Sequence, residues 1–250
     1  MTPWAALAIF AAGLAAGTVN VIVGSGSLIT FPTLLALGYP PVLANVSNNV
    51  GLVPGSASAV VAYRRELVGQ RSRVMQLGAA SLTGGVTGAV LLLALPSSVF
   101  KAAIPGLVLI ATVLMAIQPR VTAWLASRGE RHVHGGTPLL VGVFVTGIYG
   151  GYFGAAQGVI LLSLLGIFIA DTLQRLNAVK NVLALIANGV AAILFVFFAD
   201  VAWLVVVLIA VGSVLGAQLG AQVGRRLPAT AMRAVIVVVG LVAAIKLLVS

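Results

Sequence analysis

The sequence predicts an all-α integral membrane protein made of two inverted repeats, each a re-entrant-like helical hairpin plus three transmembrane helices. Three observations lead there. First, 61% of the 250 residues are hydrophobic and only 7% are charged, more apolar than an aqueous domain can be without exposing large apolar patches. Second, apolar runs of about twenty residues recur from end to end, each able to cross roughly 30 Å of hydrocarbon as a helix. Third, residues 45–104 reappear at 177–236, shifted by a constant 132 positions. Asn45 pairs with Asn177, Asn49 with Asn181, Ser81 with Ser213, Gly84 with Gly216, Gly88 with Gly220, Leu95-Pro96 with Leu227-Pro228, and Lys101 with Arg233.

In the first half, apolar segments run over 3–23, 27–38, 42–63, 74–95 and 101–118. The first carries Ala11, Ala12, Ala15 and Ala16 after an apolar stretch, as a signal peptide does, but it lacks a basic leading region and is expected to stay as a membrane segment. Glycine and serine at Gly24-Ser25-Gly26-Ser27 break the chain, and 27–38 is too short for a comfortable crossing. It reads as the returning arm of a hairpin. The second half repeats the plan over 139–153, 157–170, 174–198, 201–223 and 232–249, with its break at Gly154-Ala155-Ala156-Gln157-Gly158. The domain expectation is therefore a first repeat at 1–118, a basic cytoplasmic linker at 119–136 and a second repeat at 137–250, forming one membrane domain.

The loop 63–73 carries Arg64, Arg65, Arg71 and Arg73; 118–137 carries Arg120, Arg128 and Arg131; and 223–232 carries Arg225 and Arg226. Short basic loops stay in the cytoplasm. The loops near Pro96 and Asp200 hold almost no positive charge apart from Lys101, which fits the outside. A hairpin and three crossings per half is an odd number of passes, so the second half enters upside down and both termini face outward.

The net charge of +10 sits in these loops, without interleaved exposed aromatics, and so reads as topology rather than nucleic-acid binding. Cysteine is absent, which excludes disulfides and thiolate metal sites. His132 and His134 lie two apart in a basic loop, a weak metal signal, and no metal or cofactor is expected. Glu66, Glu130, Asp171 and Asp200 all fall in or beside loops, leaving no carboxylate mid-membrane for a proton relay and no acid/base pair for an enzyme. The four-residue spacing of Gly84 and Gly88, and of Gly212, Gly216, Gly220 and Gly224, reads as close helix packing.

The polar residues inside apolar runs follow a pattern. Asn45, Asn48, Asn49, Leu52 and Ser56 fall at i, i+3, i+4, i+7 and i+11, on one helix face; Asn177, Lys180, Asn181, Ala184 and Asn188 repeat the spacing. Such stripes either line a pathway or bond helices together. Lys180 either offsets the charge of a bound anion or snorkels toward the cytoplasmic surface. The helix starts after the two breaks direct backbone N–H groups and a positive dipole end at whatever lies before them, favouring an anion; Ser25, Ser27 and Gln157 add side-chain donors. The expected substrate-binding residues are Asn20, Ser25, Gly26, Ser27, Asn48, Asn49, Gln157, Lys180 and Asn181, meeting near the midplane.

The chain resembles the TauE/SafE sulfite exporter family. The resemblance rests on Gly17-Thr18-Val19-Asn20 through Gly24-Ser25-Gly26-Ser27 and Pro32, on Ala44-Asn45-Val46-Ser47-Asn48-Asn49, on Gly84 to Leu95-Pro96, and on their echoes in the second half. It implies a bacterial plasma-membrane permease for sulfite, organosulfonates and related small sulfur-containing anions, with alternating access between the halves. Direction has a physical argument: an anion leaving a negative interior gains about 2.3 kcal/mol per charge per 100 mV, so export proceeds without a coupling carboxylate. An anion channel and a membrane-embedded lipid-phosphate enzyme are the alternatives. The expected partners are a small anionic substrate and the lipid bilayer, with a second copy paired through the glycine faces as a further expectation.

Overall fold

A computed structural model describes residues 1–22, 24–127 and 136–223, together with 237, 238 and 241. Apart from those three, the expected last segment, 232–249, lies outside the described residues, as do the arginines at 128, 131, 225, 226 and 233, and His132 and His134. Among the described residues the chain is helical and has no strand. The elements are α1 (Pro3–Ile22), α2 (Ser27–Ala36), α3 (Pro41–Ala62), α4 (Arg71–Ala94), α5 (Ser97–Ser127), α6 (Gly136–Tyr152), α7 (Gln157–Phe168), α8 (Leu173–Phe198) and α9 (Trp203–Val223). Five of them (α1, α4, α5 through Arg120, α8 and α9) are long and apolar enough to cross a bilayer. The protein is a multi-pass membrane protein.

Local chemistry sets the boundaries. Pro41 opens α3 at a position where its missing N–H costs nothing. Thr172 caps α8 by accepting the Arg175 amide. Each half's first helix stops at a glycine with positive φ, Gly24 at +84° and Gly154 at +77°. The two amides reach back five residues, to the carbonyls of Val19 (3.2 Å) and Tyr149 (3.0 Å). That is the closure of a helix by a left-handed residue, which glycine adopts without steric cost. α5 continues past the expected end at Gln118 to Ser127, so the start of the basic linker is helical.

Glycine packing fixes the layout. α1 lies along α9, with Gly13 against Ile209, Gly17 against Ser213, Gly216 against Leu14 and Gly220 against Thr18. α6 lies along α4 in the same manner, with Gly84 against Phe144 and Gly147, Gly88 against Ile148 and Gly147 against Ser81. A Cβ at any of these glycines would run into facing backbone, so small residues let the helices approach as membrane helices do. Polar contacts match as well. Ser81 Oγ donates to the carbonyl of Leu183 at 2.7 Å, and Ser213 Oγ to the carbonyl of Gly51 at 3.3 Å. Both members of one pair are 132 positions from those of the other.

α3 and α8 form the centre and run in opposite directions. The segment after α3 meets the start of α8: Arg73 and Arg175 each hold Asp171 at 2.9 Å, and Arg175 also donates to the carbonyl of Val68. At the other end of the bundle Trp4, Phe197, Phe198 and Trp203 are well exposed. Exposed aromatic side chains at a helix end suit a membrane–water boundary.

Candidate substrate site

The two breaks touch. The amide of Gly158, at the start of α7, donates to the carbonyl of Gly24 at 3.1 Å, and a Cβ on either residue would come within 2.6 Å of the other's Cα. Only two glycines allow that approach. Beside this contact lies a partly enclosed cavity of about 30 Å³, space for roughly two or three waters. Its walls come from both halves in matched pairs: Gly24 and Gly154, Ser27 and Gln157, Asn49 and Asn181, Leu52 and Ala184, Ser56 and Asn188.

Lys180 is the charged wall. It is 1% exposed, and its Nζ donates to the backbone carbonyl of Asn20 at 3.4 Å. No ion pair to it is present among the described residues, and no acidic side chain lines the cavity. Its burial removes the snorkelling alternative for this structure. Asn49 Nδ2 reaches Asn188 Oδ1 at 3.5 Å across the α3–α8 contact. Asn49 Oδ1, Gln157 Oε1 and Asn181 Nδ2 are buried without a hydrogen-bond partner among the described residues. Unmatched buried amides are costly. Asn45, Asn48 and Asn177 also carry one such atom each without lining the cavity; the three at its wall suit a place that exchanges polar occupants.

The walls have support behind them. Asn45 Nδ2 holds the carbonyl of Tyr152 at the end of α6 (3.0 Å), and its repeat counterpart Asn177 holds the carbonyl of Val21 at the end of α1 (3.2 Å). Each break is thereby anchored to the central helix of the other half. Toward the end of the bundle where α5 begins, Phe153 closes the cavity within an aromatic cluster. Its ring lies 5.2 Å from Phe31 and 6.3 Å from both Phe100 and Tyr149.

Six of the nine residues expected from the sequence line the cavity: Asn20, Ser27, Asn49, Gln157, Lys180 and Asn181. Three face elsewhere. Ser25 Oγ donates to Met115 Sδ at 3.1 Å on α5, and Gly26 packs on the backbone of Ala16. Asn48 Oδ1 accepts from Thr30 Oγ1. The expected free backbone amides differ more. Gly26 N–H is taken by Asn20 Oδ1 at 3.2 Å, Leu28 N–H by the carbonyl of Ser25, and Gly158 N–H by Gly24. These amides are satisfied within and between the two breaks, which leaves polar side chains and one ammonium at the cavity. Ser56, Asn188, Gly154 and Gly158 also line it. Ser56 and Asn188 continue the two polar stripes at i+11, the signal that marked them in the sequence.

A multi-pass helical protein with a polar cavity between two related halves has the architecture of a membrane transporter. The chain matches the family "Sulfite exporter TauE/SafE" over residues 9–247 and belongs to it. It is 29% identical to a "Probable membrane transporter protein ORF9" of Sinorhizobium over 244 residues, covering 96% of this chain and 91% of that protein. It is 26% identical to a "Probable membrane transporter protein YfcA" of Escherichia coli, covering 96% and 88%. A "Probable membrane transporter protein" of Haemophilus influenzae is 26% identical, covering 82% and 80%. No solved structure gives a significant match. The protein is a membrane transporter.

Proposed function

We propose that this transporter exports small sulfur-containing anions such as sulfite or organosulfonates, by alternating access between two inverted halves. The repeats are 1–118 and 137–250, joined by the linker 119–136. The observation that carries the reading is Lys180: a buried ammonium at a polar cavity on the seam between the halves, with no acidic partner among the described residues. Buried charges require a counter-charge or neutralisation, and an anionic solute supplies the former. The name of the family supports the sulfur chemistry.

Several observations support an inverted arrangement. α3 and α8 are 132-residue counterparts that run in opposite directions. Asn49 meets Asn188, the repeat counterpart of Ser56, while Leu52 and Ala184 face the same cavity between them. Contacts of this form follow from a two-fold axis crossing the α3–α8 seam. Rocking one half about that seam would open the cavity to one side and then the other.

The test is counterflow in proteoliposomes. Unlabelled sulfite loaded on one side should drive uptake of labelled sulfite from the other, with saturation. Saturating counterflow supports a carrier, and linear flux without counterflow supports a channel. Release of inorganic phosphate from a lipid phosphate by the purified protein would instead support an enzyme.

A further inference from the structure

The repeat writes the central helix twice but writes its cation once. Lys180 and Asn48 are 132-residue counterparts, so a symmetric pair of lysines would have given the seam two positive charges. Instead Asn48 is occupied with Thr30, and Lys180 stands alone at the cavity wall. The nearest acid in sequence, Asp171, precedes α8 and is held by Arg73 and Arg175 at the bundle end. The other cavity-lining groups, Asn20, Ser27, Asn49, Ser56, Gln157, Asn181 and Asn188, are all neutral. Among the described residues the fixed charge available to an occupant is at most one, that of the Lys180 ammonium.

We propose that the cavity is charge-matched to a monoanion, and that it rejects doubly charged anions of the same chemistry. This rests on the reading of the cavity as the substrate site. A singly charged occupant and the Lys180 ammonium form a neutral pair, while a dianion leaves one negative charge buried among unpaired amides. An uncompensated buried charge is strongly unfavourable.

The experiment compares methanesulfonate with methanedisulfonate, which are singly and doubly charged across the working pH range, at matched ionic strength. Binding is read from thermal stabilisation of the purified full-length protein. Methanesulfonate should bind at least about tenfold more tightly than the disulfonate, Lys180→Gln should lose the response, and Lys180→Arg should keep the preference. Equal affinity for the two sulfonates in the native protein overturns the charge match without touching the proposed sulfur chemistry. So does a folded Lys180→Gln that keeps the preference. If neither sulfonate binds and acetate does, the sulfur-anion reading fails. In that event acetate binding more tightly than malonate upholds the charge match, and the reverse order overturns it.

Discussion

Gly158 and Gly24 meet backbone to backbone, the amide of one donating to the carbonyl of the other at 3.1 Å, and this contact joins the break of one half to the break of the other. A side chain at Gly24 faces two penalties: φ of +84° and a Cβ 2.6 Å from the Gly158 Cα. Gly38 has a similar φ of +87° but nothing within 4 Å of an added Cβ. Gly24→Ala should therefore cost roughly 3 kcal/mol or more, from strain plus overpacking, and Gly38→Ala only about 1 kcal/mol. Thermal unfolding of the two variants in detergent measures the difference.

Glycines 132 positions apart should respond alike. Gly84 packs on the carbonyl of Phe144 and Gly216 on that of Leu14, each too close for a Cβ. Alanine at either should destabilise by about 1–3 kcal/mol, and by similar amounts. A large loss from one and none from the other would argue against equivalent packing in the two halves.

Asn49 and Asn181 separate stability from transport. Each has a buried amide atom without a hydrogen-bond partner among the described residues, a condition worth about 1–3 kcal/mol. Leucine at either position should leave the thermal midpoint unchanged or raise it, while abolishing sulfite flux in proteoliposomes. A lower midpoint with flux intact would identify these residues as interhelical bonds.

The ionic cluster at the bundle end should show in a pH profile. Burial raises the Asp171 carboxyl, but the hydrogen bond from Arg73, the amide of Thr172 and the charges of Arg175 and Arg73 outweigh it and hold the carboxyl below its ordinary value. A depressed folded pKa gives stability that is present above the ordinary carboxylate range and lost as pH falls through the folded value. Asp171→Asn should therefore cost about 1 kcal/mol at neutral pH, with the gap to the unaltered protein closing in acid. Parallel stability curves at all pH values would contradict this account.

Much of this was legible because membrane helices announce themselves through composition, and a duplication exposes its own register. The described helices begin near their expected positions, and the i+7 and i+11 members of the polar stripes face the cavity. The orientation of α2 was not legible. Ser25 turns to Met115, ninety residues away, a partner that no local pattern reveals. The fate of the break amides was equally hidden, since Gly158 N–H is satisfied by a carbonyl from the other half. Lys180 has the sequence position of a snorkelling residue; only the packing of α1 over it shows that it stays inside.

The absence of cysteine from the sequence makes one measurement especially direct. Ser56→Cys places a single thiol on the cavity wall, where a charged, membrane-impermeant reagent can be applied from either side of sealed vesicles. Labelling from both sides, slowed by sulfite or methanesulfonate, is the result expected of a polar centre that opens alternately and holds the substrate. A thiol that reacts from neither side, or at a rate indifferent to every anion, would mean that the stripes only bind helix to helix.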